Sequence, residues 1–437
     1  MSQVSTLQLS LTDVAQLAGV KRPVVSMWRR RGITDRPFPE PVAVVAGQER
    51  FDAQGIAAYL HQTGRGNNPD ARDDLAAHAR LAAVTSLEET VAFDGLTALL
   101  CLAAMTEESL GDLDEAALLT LATGLDPADT LSLREIQALG PELTSLAVHA
   151  DAMADAAYSA SAAFEGVLRR QLHRSLPGHA ATALHPGAIA LVAHCAQALA
   201  AEAGMEAPTF IDVTDGSGDL LLAATQQRAA GPPPSVATPA LDTRVARLTR
   251  RRLRVHDLHR LDAQVDEDGE FALESADVVH VLQLPAAGRP RMTDLEVLSL
   301  LDNLVLGMDD RQRAVILGPA SAMIDRPATS EADLARDAIL RTDRLRLAAR
   351  LPRGLLVRAP RQALGLWVLG PAHPNTPRAD RWTAVADLSG ETLTVSVIES
   401  LVTDAVAALR PDRDPLTRGR KAGAGLDDER QTHGHQF

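Results

Sequence analysis

TFIDVTDGSGDLLLAA, residues 209–224, decides the fold. Phe210 and Ile211 read as a buried strand that closes on Asp212. A glycine turn follows, Asp215-Gly216-Ser217-Gly218, and a helix opens at Asp219. Paired glycines after a parallel strand let the backbone approach a ligand, because no Cβ stands in the way. The free N–H groups of the following helix point at the same place. Asp212, Gly216, Ser217 and Gly218 are therefore the candidate cofactor-binding residues. Alone, a G-x-G of this kind is a weak signal, and its surroundings must specify it.

Outward from this loop, residues 181–372 alternate short apolar runs with helical stretches, which predicts an α/β layer structure. Before it, residues 75–180 are rich in Ala and Leu and read as consecutive helices broken by Gly and Pro. After it, the Pro-rich 373–380 leads into one more strand and a helix over 395–409. The tail, 410–437, is rich in Arg, Gly and Asp and reads as disordered. GRGNNPDARDD, residues 64–74, reads as a linker that sets off residues 1–65.

Composition bounds the function. The 437 residues carry a formal charge of −14, which excludes a uniformly basic nucleic-acid coat. Residues 1–65 depart from that balance, with eight bases against five acids. Lysine occurs only at Lys21 and Lys421, so arginine carries nearly all positive charge. Cys101 and Cys195 lack any metal-ligand spacing, so neither a disulfide scaffold nor a cysteine metal site is expected. No apolar run reaches the roughly 20 residues a membrane helix needs, and no secretory leader is evident, so a cytoplasmic location is expected.

LTDVAQLAGVKRPVVSMWRRRG, residues 11–32, has two short helical patterns around Gly19. Thr12 is the expected N-cap of the first. Ala15, Val20 and Val25 have the spacing that packs two helices across a tight turn. Lys21, Arg22, Ser26, Arg29 and Arg30 form the polar side of the second, backed by Val24, Val25 and Trp28. A helix placed in a major groove needs this division between core anchors and phosphate or base contacts. Residues 42–45 and 49–51 then predict a hairpin carrying Arg50, and Asp52 caps a helix through Ile56, Tyr59 and Leu60. This order, with its W-R-R-R, F-P-x-P-V and R-F-D pieces, resembles the winged helix-turn-helix modules of the MerR and phage-excisionase type. The resemblance implies double-stranded DNA as partner, contacted by Lys21, Arg22, Ser26, Arg29, Arg30 and Arg50. Residues 75–180 offer no chemistry: His78, His149 and His173 are isolated, and acid pairs such as Glu107 and Glu108 read as solvated faces. They predict a spacer or a docking surface.

The glycine-loop segment resembles the S-adenosylmethionine loop of the adenine-specific N6 DNA methyltransferases of the type I modification-subunit kind, with its pattern D-P-A-C-G-T-G-x-L-L. Asp212, Gly216, Gly218, Leu220 and Leu221 match, Ser217 is a near match, and Val213, Thr214 and Asp215 depart. His185-Pro186 stands where the family has T-P, and Ala240 where it usually has a ribose-binding acid. The resemblance spans about 180–395. It implies a multidomain α and α/β chain: winged helix-turn-helix, helical spacer and Rossmann-like class I methyltransferase fold. That combination resembles a type seen in actinobacteria.

One departure matters most. After the expected strand 277–281 the family requires N-P-P-F or N-P-P-Y, whose Asn and first Pro accept from the adenine amino group and whose ring stacks on the flipped base. Leu282, Gln283, Leu284 and Pro285 stand there instead. The expectation is a pseudoenzyme without catalytic residues, acting in DNA binding or regulation, with weak or absent S-adenosylmethionine binding and no metal. Two other readings remain: an active adenine methyltransferase rebuilt around Gln283, and a transcription regulator whose body senses a small molecule. A homo-oligomer is compatible with all three.

Overall fold

The computed structural model describes residues 8–31, 36–45, 48–66, 87–106, 108–171, 176–226, 232–265, 271–272, 277–373, 375–377 and 381–410. The expected tail beyond 410, most of the 64–74 linker and the start of the helical zone lie outside the described residues.

The N-terminal residues build β1 (Gln8–Leu9), α1 (Leu11–Leu17), α2 (Arg22–Arg30), β2 (Pro41–Val45), β3 (Gln48–Asp52) and α3 (Ala53–Thr63). The strands pair antiparallel in the order β1-β3-β2. Ser10, not Thr12, caps α1. Its N–H and hydroxyl donate to Asp13 Oδ2 at 2.9 and 2.8 Å, and the Asp13 N–H returns a bond to Ser10 Oγ at 3.2 Å. This reciprocal arrangement needs an acid three residues on, which Ser10 has and Thr12 lacks. Asp52 caps α3 as expected, accepting from the Gly55 N–H at 2.8 Å. Val14, Ala15, Val25, Trp28, Phe51 and Ile56 close one small core.

A helical layer follows: α4 (Glu89–Met105), α5 (Glu115–Leu125), α6 (Leu133–Gln137), α7 (Leu143–Ala156), α8 (Ala160–Gln171) and α9 (Pro177–Thr182). α4 is apolar nearly all round because it is the centre of this layer, with Phe93, Leu96, Leu99 and Leu100 fully buried.

The body alternates α10 (Pro186–Glu202), β4 (Thr209–Ile211), α11 (Asp219–Gln226), β5 (Ser235–Pro239), α12 (Arg244–Val255), β6 (Arg260–Val265), β7 (Phe271–Ala272) and β8 (Val278–Gln283). It continues with α13 (Asp294–Gly307), β9 (Arg313–Pro319), α14 (Ala320–Met323), α15 (Ser330–Arg341), β10 (Leu345–Arg350), β11 (Leu364–Leu369), β12 (Ala384–Asp387) and α16 (Val395–Ala408). The strands form one sheet in the order β12-β10-β11-β9-β8-β4-β5-β6-β7. β6, β5, β4, β8 and β9 are parallel, and β11 runs antiparallel to both its neighbours. A parallel run whose order reverses beside its first strand, closed by a reversed strand inserted before the last, is the arrangement of a Rossmann-like class I methyltransferase. β4, β8, β9 and β11 are buried almost throughout because helices cover both faces of the sheet there. One core lies against α10 and α16, through Leu191, Val281 and Leu366; the other lies against α13 and α15, through Leu282, Leu301 and Trp367. The sheet order reverses between β4 and β8, which opens a crevice at their C-terminal ends where such folds take ligands.

Candidate functional site

Four candidate residues meet at that crevice. Asp212 follows β4, and its side chain is buried. Its Oδ1 accepts from the Thr214 N–H and hydroxyl at 2.9 and 2.6 Å. A methyl group on Gly216 would collide with Asp212 Oδ2, so glycine at 216 is a packing requirement. Burial pushes the Asp212 carboxyl up to about 7 against the two Thr214 bonds, and the Asp215 charge adds to the rise. Ser217 donates to Asp219 Oδ2 at 2.6 Å, so its hydroxyl serves the loop. Gly218 has φ +78°, a left-handed backbone that a side chain would strain.

The loop is tied down from outside. Thr249 donates to the Gly216 carbonyl at 2.8 Å, and Arg252 Nη1 donates to the Ser217 carbonyl at 3.0 Å. Asp215 crosses the crevice. Its Oδ2 accepts from the Thr243 hydroxyl beyond β5 at 2.7 Å, and its carbonyl accepts from the Gly288 N–H beyond β8 at 2.8 Å. A Cβ on Gly288 would overlap the Asp215 carboxylate. Burial raises the Asp215 carboxyl, and Oδ1 is buried without a partner among the described residues.

The turn after β8 corrects the sequence register. The strand runs to Gln283, two residues past the expected end. Side chains alternate along a strand. Leu282 and Leu284 therefore both enter the core beneath α13, and Gln283 faces the other way. Gln283, not Leu282, stands at the crevice. Its Nε2 donates to the Thr182 carbonyl at 2.5 Å. Pro285-Ala286-Ala287-Gly288 completes the turn without an aromatic residue. α9 packs on that turn so closely that a methyl group on Gly178 would strike the Ala287 carbonyl.

Sequence reading missed what holds α12 in place. Four of its six arginines, Arg244, Arg247, Arg251 and Arg252, point into acids of the helical layer and of the loop. Arg247 bonds Glu135 and Asp129, Arg251 pairs with Glu135 at 2.8 Å, and Arg244 with Asp94 at 2.6 Å. Arg252 bonds Glu165 at 2.7 and 2.8 Å and Asp219 at 2.6 Å. Leu248 and Val255 complete the helical layer's core. The signal was six arginines in twelve residues. His179 was also missed: it is buried, both ring nitrogens lack a partner among the described residues, and burial pushes it down to about 4 despite the Asp219 charge. Among the described residues no group of three or more His, Cys, Asp or Glu is placed to hold a metal.

On α2, Val25 and Trp28 face the core, and Lys21, Arg22, Arg30 and Arg31 are exposed. Arg22, Ser26, Met27 and Arg30 line one shallow groove. Arg29 is engaged elsewhere. It forms a two-pronged pair with Glu49 of β3 and lies over the Phe51 ring, so it braces the helix against the hairpin. Arg50 lies 3.8 Å from Asp13. Of the six expected DNA contacts, Lys21, Arg22, Ser26 and Arg30 share the open helix face, and Arg29 and Arg50 have acidic neighbours within the module.

No protein-family model matches this chain, and no curated protein matches it in sequence. Solved structures align with it distantly. A type I restriction-modification methyltransferase subunit from Streptococcus thermophilus aligns at 15% identity and TM-score 0.43, covering 81% of each chain. A Listeria monocytogenes protein described as a class I S-adenosylmethionine-dependent methyltransferase aligns at 14% identity and TM-score 0.46, covering 73% of this chain and 99% of its own. A type I modification subunit from Vibrio vulnificus aligns at 13% identity and TM-score 0.35, over 56% of this chain and 55% of its own. Likenesses this distant assign nothing by themselves; the strand order and the reversed β11 carry the fold, which is that of a class I methyltransferase.

Proposed function

We propose that this chain binds double-stranded DNA through residues 1–65, as a winged helix-turn-helix, and carries a DNA-methyltransferase-like body that does not transfer methyl groups. One observation carries the second half: the crevice is spanned by the chain's own side chains. Asp215 bridges Thr243 and Gly288, and Gln283 is bonded to Thr182 beneath α9. S-adenosylmethionine fits this crevice poorly. Gly216 and Gly218 permit close backbone approach, but the Asp215 carboxylate lies across the path. The strand beyond β5 offers Ala240 where a ribose-holding acid is required. No residue of 284–288 can stack on a base.

The basic face of α2 supports the first half. Phosphate contacts act by counterion release, so each lost contact flattens the salt dependence of binding. Fluorescence anisotropy with duplex DNA across a salt series tests it. The Arg22→Ala/Arg30→Ala variant should bind more weakly, with a log–log salt slope shallower by about 2. Equal affinity and slope in both proteins would refute the placement. A second reading, an active divergent methyltransferase, draws on the position of Gln283 at the crevice, where its side-chain carbonyl could accept from an amino group.

A further inference from the structure

A second feature lies at the opposite edge of the sheet. β6 begins at Arg260, so this residue stands at the N-terminal edge of the parallel strands, away from the glycine loop. A cleft of about 330 Å³ there is lined by Arg250 and Arg254 of α12, by His259 and Arg260, and by Thr130 and Leu131 of the helical layer. Two of its arginines have acids. Arg254 pairs with Asp257, which also lines the cleft, at 3.2 Å, and Arg260 with Asp262 at 2.5 Å. Arg250 does not. Only 4% of it is exposed, its Nε is buried without a partner, and no side chain or carbonyl among the described residues bonds its guanidinium. Arginine cannot escape such burial by losing its proton. Asp242 and Asp262 answer its charge only through space, so a buried guanidinium with no bonded partner among the described residues, beside two further arginines, suits an anion that brings hydrogen-bond acceptors into the cleft.

We propose that this cleft binds a small phosphate-bearing anion, with Arg250 as its central contact and Arg254 and Arg260 beside it. The planar guanidinium fork matches phosphate oxygens two at a time. The volume exceeds what inorganic phosphate fills and reaches the lower end of small-ligand pockets, about 300 Å³, so a phosphomonoester on a small organic group fits better than the free ion. Thr130 and Leu131 belong to the helical layer and Arg250 to the body. A bound anion therefore braces the two together and raises the stability of both by mass action.

The test is calorimetric titration of the full chain at constant ionic strength with inorganic phosphate and with a nucleoside monophosphate, chloride serving as control. Saturable binding of either phosphate compound, weakened at least tenfold by Arg250→Met, supports the site. Tighter binding of the monophosphate identifies an esterified ligand, and equal binding the free ion. Arg254→Gln, at a half-exposed position, should fold normally and weaken binding several-fold. If Arg250→Met does not fold, the decision passes to Arg254→Gln. No saturable heat with either compound, or unchanged affinity in the folded variants, overturns the proposal.

Discussion

At the residue scale the strongest constraint falls on Asp212. Its carboxyl is buried, accepts two bonds from Thr214 and titrates near 7. A folded value raised above the unfolded one means that ionisation opposes folding. The stability it contributes is complete below about pH 4 and is lost as pH rises through about 7. Asp212→Asn keeps the Thr214 bonds but carries no charge. It should therefore raise the denaturation midpoint at pH 8, by on the order of 2–4 kcal/mol, and leave it nearly unchanged at pH 4. Urea unfolding at the two pH values checks this, and a variant less stable than the parent at pH 8 would show that the carboxylate is needed. The glycine turn after β4 was legible in the sequence as a place of close backbone approach, but the packing of Gly216 against Asp212 was not. Nor was the role of Asp215. Its partners Thr243 and Gly288 lie 28 and 73 residues away, beyond what local pattern reading reaches.

At the element scale α12 is the joint between the helical layer and the body. Arg252 joins Glu165 of α8 to Asp219 at the start of α11. Arg252→Met removes the partner of two half-buried carboxylates, Glu165 and Asp219, and should cost roughly 2–3 kcal/mol, read as a lowered urea midpoint. Burial works to raise the Glu165 carboxyl, but bonds from His256 and Arg252 overcome it and hold it at about 2. A depressed value contributes stability above the unfolded range near 4.3 that disappears as pH falls toward 2. Circular dichroism through that window should show the parent losing stability with acid, and Glu165→Gln showing a flatter profile from a lower starting point. An equally steep profile in Glu165→Gln would assign the acid sensitivity to other carboxylates. The alternating pattern of 181–372 is compatible with α12 as a helix of the body. The arginines' acidic partners, Asp94, Asp129, Glu135 and Glu165, went unread, because charge patterning along one helix cannot show which distant helix lies opposite.

At the scale of the whole molecule the alternating pattern after residue 181 predicted the sheet, and the structure supplies its order and the reversed β11. The register of the turn after β8 was misread by one position. A run as apolar as VVHVLQL does not mark where the strand ends, and only the alternation of Leu282 and Leu284 into one core fixes Gln283 at the crevice. That correction places Gln283 at the crevice, tied to the Thr182 carbonyl, and the turn carries no ring. The central claim is a methyltransferase fold that does not methylate. The most direct measurement is label transfer from radiolabelled S-adenosylmethionine to DNA that the protein binds. Loss of an aligned polar contact and of base stacking together cost about 4–7 kcal/mol in such a site, so incorporation should match a no-protein control. Incorporation well above that control, and abolished by Gln283→Ala, would contradict it.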